Sequence, residues 1–214
     1  TILVGVALAK WIAPLIGAAP MLVGDLVMWA TELQPFWMGM FVSVTVGIAL
    51  TLPISSAAIC ASFGLVGLAG GAAVAGCCAQ MVGFAVMSFR ENRWGGLVSQ
   101  GLGTSMLQMP NIVRNPRIWI PPTLASAITG PIATCVFKME MNGAPVSSGM
   151  GTCGLVGQIG VVTGWLSPDA AALKNGAAAI VPTAFDWAGL VLICFVLPAV
   201  LSVVFCEICR RLGW

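Results

Sequence analysis

Between Glu32 and Arg90 the chain reads LQPFWMGMFVSVTVGIALTLPISSAAICASFGLVGLAGGAAVAGCCAQMVGFAVMSF, residues 33–89, without one charged side chain. Wound as a single helix this stretch would run to roughly 86 Å, against a bilayer hydrocarbon core of about 30 Å. It must therefore turn back inside or beside a membrane. Pro53 with the polar pair Ser55–Ser56 marks the first break, and Gly70–Gly71 a softer one. The reading predicts a span at Phe36–Leu52, a short broken piece at Ile54–Phe63 and a span at Leu65–Phe89. Gly47 falls in an ordinary span and is expected to tolerate alanine.

The rest of the chain agrees with a membrane setting. Of 214 residues only 7% are charged, 59% are hydrophobic, and the mean hydropathy is +1.01. Soluble domains carry about 25% charge. So few charges cannot cover a water-soluble surface, which excludes a soluble enzyme, a nucleic-acid reader and a disordered chain. Histidine is absent, so no His general base, phosphohistidine or His metal ligand exists in this chain. No catalytic residue, metal site or cofactor is expected. The cysteines sit mostly in apolar runs (Cys60, Cys77, Cys78, Cys135, Cys194) and read as small hydrophobes rather than a disulfide framework.

Outward from the opening stretch, charge sets the topology. Arg90-Glu91-Asn92-Arg93 and Arg114-Asn115-Pro116-Arg117 are short basic loops, and Arg210-Arg211 ends the last apolar run; all three belong in the cytoplasm by the positive-inside tendency. Leu97–Val113 lies between the first two, uncharged but rich in Gly, Ser, Thr, Gln and Asn. It can leave and return to one side only as a re-entrant hairpin, with protein or water covering its backbone. Ile118–Met139 then crosses, with Lys138 and Glu140 on the far side. Ser147–Leu166 is a second Gly-rich stretch that must also return to the side it left, before Trp187–Cys206 crosses back. Asp186 is expected as a first-turn acid of that helix. The N-terminal Ile2–Glu32 reads as one tilted or broken span. Opening at Thr1 with no Met and no basic leader, the chain is expected to lack its beginning. The fold class is an all-α polytopic membrane protein, one transmembrane domain over residues 1–214, with two re-entrant Gly-rich hairpins.

An internal repeat supports this. Gly101-Leu102-Gly103-Thr104-Ser105-Met106-Leu107 matches Gly149-Met150-Gly151-Thr152-Cys153-Gly154-Leu155 as G-[LM]-G-T-[SC]-x-L. Ahead of them, Thr51-Leu52-Pro53-Ile54-Ser55-Ser56 matches Thr129-Gly130-Pro131-Ile132-Ala133-Thr134. Paired interruptions in two halves, as in an inverted repeat, point to a transport site at the repeat interface. The alternative is that Gly-x-Gly-Thr lets helices pack closely. In the first reading Gly101, Gly103, Gly149 and Gly151 share one hairpin backbone geometry.

The strings Leu52-Pro53-Ile54-Ser55-Ser56-Ala57-Ala58-Ile59, Gly101–Gln108, Asn111-Ile112-Val113-Arg114-Asn115-Pro116-Arg117 and Gly149-Met150-Gly151-Thr152 resemble the EIIC-type membrane proteins of the bacterial phosphotransferase system. More narrowly they resemble the branch that includes perfringolysin O regulator-like proteins. The resemblance runs from about Pro35 to Trp214. It implies a bacterial inner (plasma) membrane protein, a homodimer, a sugar-like solute, and phosphorylation of that solute by a separate cytoplasmic EIIB protein. It also implies further helices before Thr1.

Recognition of a hydroxylated solute needs matched donors and acceptors in a dry pocket. The polar side chains concentrated in the broken segments are the candidates: Ser55, Ser56, Gln100, Thr104, Ser105, Gln108, Asn111, Thr152 and Gln158. Thr104 and Gln108, four apart, share a face if that arm is helical. For the Ser and Thr residues the alternative is capping of backbone groups at the breaks. Glu91 reads as a loop ion pair beside Arg90 and Arg93; Arg114 and Arg117 read either as topology anchors or as contacts for a phosphorylated partner or sugar. Three functions remain open: a transporter working by alternating access, a solute sensor that signals without transport, and an ion-coupled carrier using Asp25.

Overall fold

The computed structural model describes residues 25–213, and all its regular elements are helical. The expected N-terminal span Ile2–Glu32 lies almost wholly outside the described residues; of it, 25–32 belong to a helical stretch 25–33. Helix α1 spans Pro35–Thr51, α2 Ser56–Phe63 and α3 Gly67–Met87. The three pieces predicted within residues 33–89 are therefore present, each within about two residues of the expected ends. Pro35 opens α1, where its missing N–H costs nothing, and Pro53 keeps the chain from continuing past Thr51.

Helix α3 is the axis of the bundle. Its sequence, GLAGGAAVAGCCAQMVGFAVM, is small on every side, and its central membrane-length window is 89% buried. Small residues let neighbouring backbones approach, the interaction that holds helices together where lipid is as apolar as the side chains. Gly76 faces the Ser43 carbonyl of α1 and Gly71 the Met139 carbonyl. A Cβ on Gly47 would lie 2.8 Å from the Gly76 carbonyl oxygen, so the span is not the tolerant one expected there. Backbone, not a flexible side chain, fills the space.

After α3 comes α4, Phe89–Val98, interrupted at Arg93, whose φ of 52° breaks it into two pieces. A π-turn (Ser99–Gly103), extended Thr104, a 3₁₀ turn (Ser105–Gln108) and α5, Met109–Arg114, follow. Helix α6, Ile120–Pro131, continues into a π-turn, Ile132–Val136. The second Gly-rich segment is α7 (Pro145–Ser148), tight turns, and α8 (Val156–Leu166). Helix α9 is Ala170–Lys174, and α10 runs Ala184–Arg211 through a π-turn at Leu192–Val196. That wider turn precedes Pro198, which could not bond within a regular ladder. Asp186 completes a capping box with Thr183 at the start of α10, the first-turn role expected of it.

Helices α1, α6 and α10 all pack on α3. The outer faces remain apolar: Trp29, Trp37 and Phe41 on one side and Val200, Val204 and Ile208 on another are exposed. Only 33% of the α10 window is buried. Such a surface suits lipid and not water.

Candidate functional site

The basic loops assigned to one side meet at one end of the bundle. Glu91, Arg117 and Arg210 line a single cavity of about 390 Å³, within the roughly 300–1,000 Å³ of small-molecule sites. Its apolar lining includes Phe84 and Met87 at the end of α3, with Ile118 and Pro121. Its polar lining includes Ser88, Asn92, Gln108, Asn111 and Asn115, and α10 adds Cys206 and Cys209. A Glu91 carboxylate oxygen lies 3.6 Å from the Arg210 guanidinium. The ion pair expected for Glu91 therefore exists, but with α10 rather than with its neighbours in sequence. Both side chains are solvent-accessible, so the pair contributes little to stability.

Two of the nine candidate side chains, Gln108 and Asn111, reach this cavity. A run of carboxamides fixes them: Asn111 Nδ2 donates to Gln108 Oε1 at 2.9 Å, and Gln108 Nε2 donates to Gln100 Oε1 at 2.9 Å. Gln100 is buried, so this chain anchors the cavity wall to the segment's interior. Each amide oxygen used inside leaves other donors and acceptors for a ligand, the arrangement a polyhydroxylated solute requires.

The other candidates lie elsewhere. Ser55 caps α2 by accepting the Ala58 N–H, and Thr104 caps the 3₁₀ turn by accepting the Met106 N–H. Thr104 is extended (φ −159°), so it does not share a helical face with Gln108. Ser56 donates to the Gly149 carbonyl at 2.7 Å, and Ser105 lies 3.0 Å from the Thr51 hydroxyl. The break after α1 thus holds both Gly-rich segments, one at each end. Thr152 is fully buried with no partner for its hydroxyl, and Gln158 donates to Cys78 Sγ at 3.2 Å while its Oε1 has none. The π-turn Ser99–Gly103 packs against Cys153–Leu155, so the two segments do meet, but Thr152, Gln158 and Gln100 do not line the cavity that Gln108 and Asn111 reach.

The four repeat glycines do not share one geometry. Gly151 has φ +54°, and a Cβ there would lie 2.6 Å from Cys77 Cβ; on Gly149 it would meet the Ser56 carbonyl oxygen at 2.5 Å. Gly101 would touch only Ala85 at 3.5 Å, and Gly103 meets nothing within 4 Å.

Sequence reasoning missed Gln80, Thr51 and Trp119. Gln80 is fully buried in α3, and its Oε1 accepts from Trp119 Nε1 at 3.1 Å. Its signal was present: a lone amide in the middle of an otherwise apolar 21-residue helix. Asp25, the candidate for ion coupling, is exposed. Among the described residues no cluster of three His, Cys, Asp or Glu is placed to hold a metal ion.

Comparison with known proteins gives one match. The family described as "Phosphotransferase system, EIIC" matches residues 1–214. No curated protein matches, and no solved structure matches. The chain belongs to the phosphotransferase system EIIC family, the membrane component of sugar phosphotransferase transport, which resides in the inner membrane and works with a cytoplasmic EIIB.

Proposed function

We propose that this EIIC chain binds a sugar-like solute in the cavity between α3, α5 and α10 and translocates it by alternating access, as a homodimer with its Gly-rich segments re-entrant. The observation that carries the reading is the carboxamide chain Asn111–Gln108–Gln100 ending in a cavity of about 390 Å³. Amides offer both donors and acceptors to hydroxyls, and Glu91 adds a carboxylate able to orient one of them. Apolar Phe84, Ile118 and Pro121 supply the dry wall against a sugar's C–H face. Arg117 and Arg210 make the same cavity hospitable to a phosphorylated product at the end where EIIB would dock.

Purified protein in liposomes, offered glucose, mannose, galactose, N-acetylglucosamine, mannitol and galactitol with and without phosphorylated EIIB, tests this. Uptake of at least one sugar, dependent on EIIB for its phosphorylation, is the expected result. Binding without any uptake would instead favour a sensor. No binding of any hydroxylated solute would remove the reading.

A further inference from the structure

Resting on the cavity as the solute site, we propose that Gln80 is its positioning residue: from inside α3 it holds the Gln108-bearing turn and the Trp119–Ile118 wall in register. Gln80 touches no part of the cavity. It sits one helical turn before Phe84, which lines it.

The indole of Trp119 fixes which way the Gln80 amide points. The Trp119 indole N–H can only donate, so the amide atom 3.1 Å from it is the oxygen. The Thr123 hydroxyl donates to the Trp119 carbonyl at 2.7 Å, which leaves its oxygen to accept Gln80 Nε2 at 3.3 Å. On the other side Thr51 Oγ1 lies 3.4 Å from Gln80 Oε1 and 3.0 Å from Ser105 Oγ. Ser105 is fully buried with its hydroxyl against that of Thr51, and when Ser105 donates, the Thr51 proton is shared between Gln80 Oε1 and the Gly47 carbonyl, each 3.4 Å away. The amide thus ties α3 to Trp119 and the start of α6, and through Thr51 of α1 it reaches Ser105 of the 3₁₀ turn.

Two consequences bear on the solute. Ser105 and Gln108 occupy the first and last places of the same short turn, so releasing Ser105 frees the amide that faces the cavity. Trp119 precedes α6 and follows Ile118, so releasing its indole frees the facing wall. In a membrane interior no water replaces these bonds, and each group left unpaired is strongly disfavoured. The network therefore favours a single geometry of the cavity over a range of looser ones.

Two substitutions separate positioning from bulk stability. Gln80→Met keeps the volume and removes every bond of the amide, whereas Thr51→Val removes the Thr51 hydroxyl and its link to Ser105 but leaves Gln80 its bonds to Trp119 and Thr123. Hydrogen–deuterium exchange in detergent should then accelerate at least about tenfold over 104–114 in both variants, with 67–87 still protected. Affinity for whichever panel sugar binds the parent protein should fall roughly 5- to 150-fold. In a Gln108→Ala background Gln80→Met should cost clearly less affinity than in the parent protein, because one of the two features it positions is gone while the Trp119–Ile118 wall remains. Unchanged exchange over 104–114 in either variant, or release of the whole bundle in Gln80→Met with no local release in Thr51→Val, would overturn the assignment. If no panel sugar binds the parent protein, the solute reading fails while the exchange data still decide the role of Gln80.

Discussion

Thr104 and Thr152 hold the same place in the two copies of G-[LM]-G-T-[SC]-x-L, yet one hydroxyl accepts the Met106 N–H at 3.2 Å and the other is buried without a partner. The difference extends to the backbone. No residue from Gly101 to Leu107 has positive φ, whereas Gly151, Gly154 and Leu155 all do. The first copy ends one residue before the cavity-lining Gln108, and its glycines lie in open space or ordinary contact. The second is wedged against Ser56 and Cys77, where a methyl group has no room. One sequence pattern therefore breaks a helix in both halves, while the neighbours decide what the break does. The first copy runs straight into Gln108, which lines the cavity; the second is packed into the bundle.

The sharpest contrast is predicted for valine at the matched glycines. Gly151→Val must place a β-branched residue at φ +54° and push Cys77 aside, at a cost of about 2–6 kcal/mol. Loss of the assembled peak on size exclusion is expected. A well-assembled Gly151→Val protein would dissolve the distinction between the copies.

Gln108→Ala comes next. It leaves Asn111 and Gln100 without their partner but removes no packing of the second copy. Assembly should persist while solute affinity falls by about 1–3 kcal/mol, roughly 5- to 150-fold, by isothermal titration.

Smaller still is the effect of Thr152→Val, which replaces an unpaired buried hydroxyl by a methyl group of similar size. Thermal stability should be unchanged or rise by up to about 1 kcal/mol, with affinity intact. A fall in affinity at unchanged stability would put Thr152 in the solute site and make the copies functional equals. The smallest change is expected for Gly103→Val, within about 0.5 kcal/mol in stability, because a Cβ there meets nothing within 4 Å. A collapse of assembly in this variant would show the first copy to be packed as tightly as the second.

Much of this architecture was legible before any coordinates. Hydropathy and the sparse charges located α1, α3, α6 and α10, because a bilayer permits only satisfied, apolar helices. Arg117 and Arg210, from two of the basic loops, line one cavity. Asp186 was legible as a first-turn acid because helix starts are set locally. What a sequence motif could not convey was environment. The glycines of the two copies look alike until Ser56 and Cys77 are set beside one pair only. Ser55 and Thr104 have the polarity of ligand groups, but their nearest partners are backbone N–H groups two or three residues away. The role of Gln80 was not legible because its partners, Thr51, Trp119 and Thr123, lie 29 to 43 residues away in sequence.

The assignment of the cavity as the solute site is tested most directly by thiol protection. Cys209 lines the cavity, while Cys60, Cys77, Cys78 and Cys194 are buried and need no replacement. With Cys135, Cys153 and Cys206 changed to serine, the rate of N-ethylmaleimide reaction at Cys209 reports access. A bound panel sugar is predicted to slow that reaction at least about fivefold, and to lose the effect in Gln108→Ala at the same concentration. An alkylation rate unmoved by saturating sugar that demonstrably binds would place the solute elsewhere and contradict the assignment.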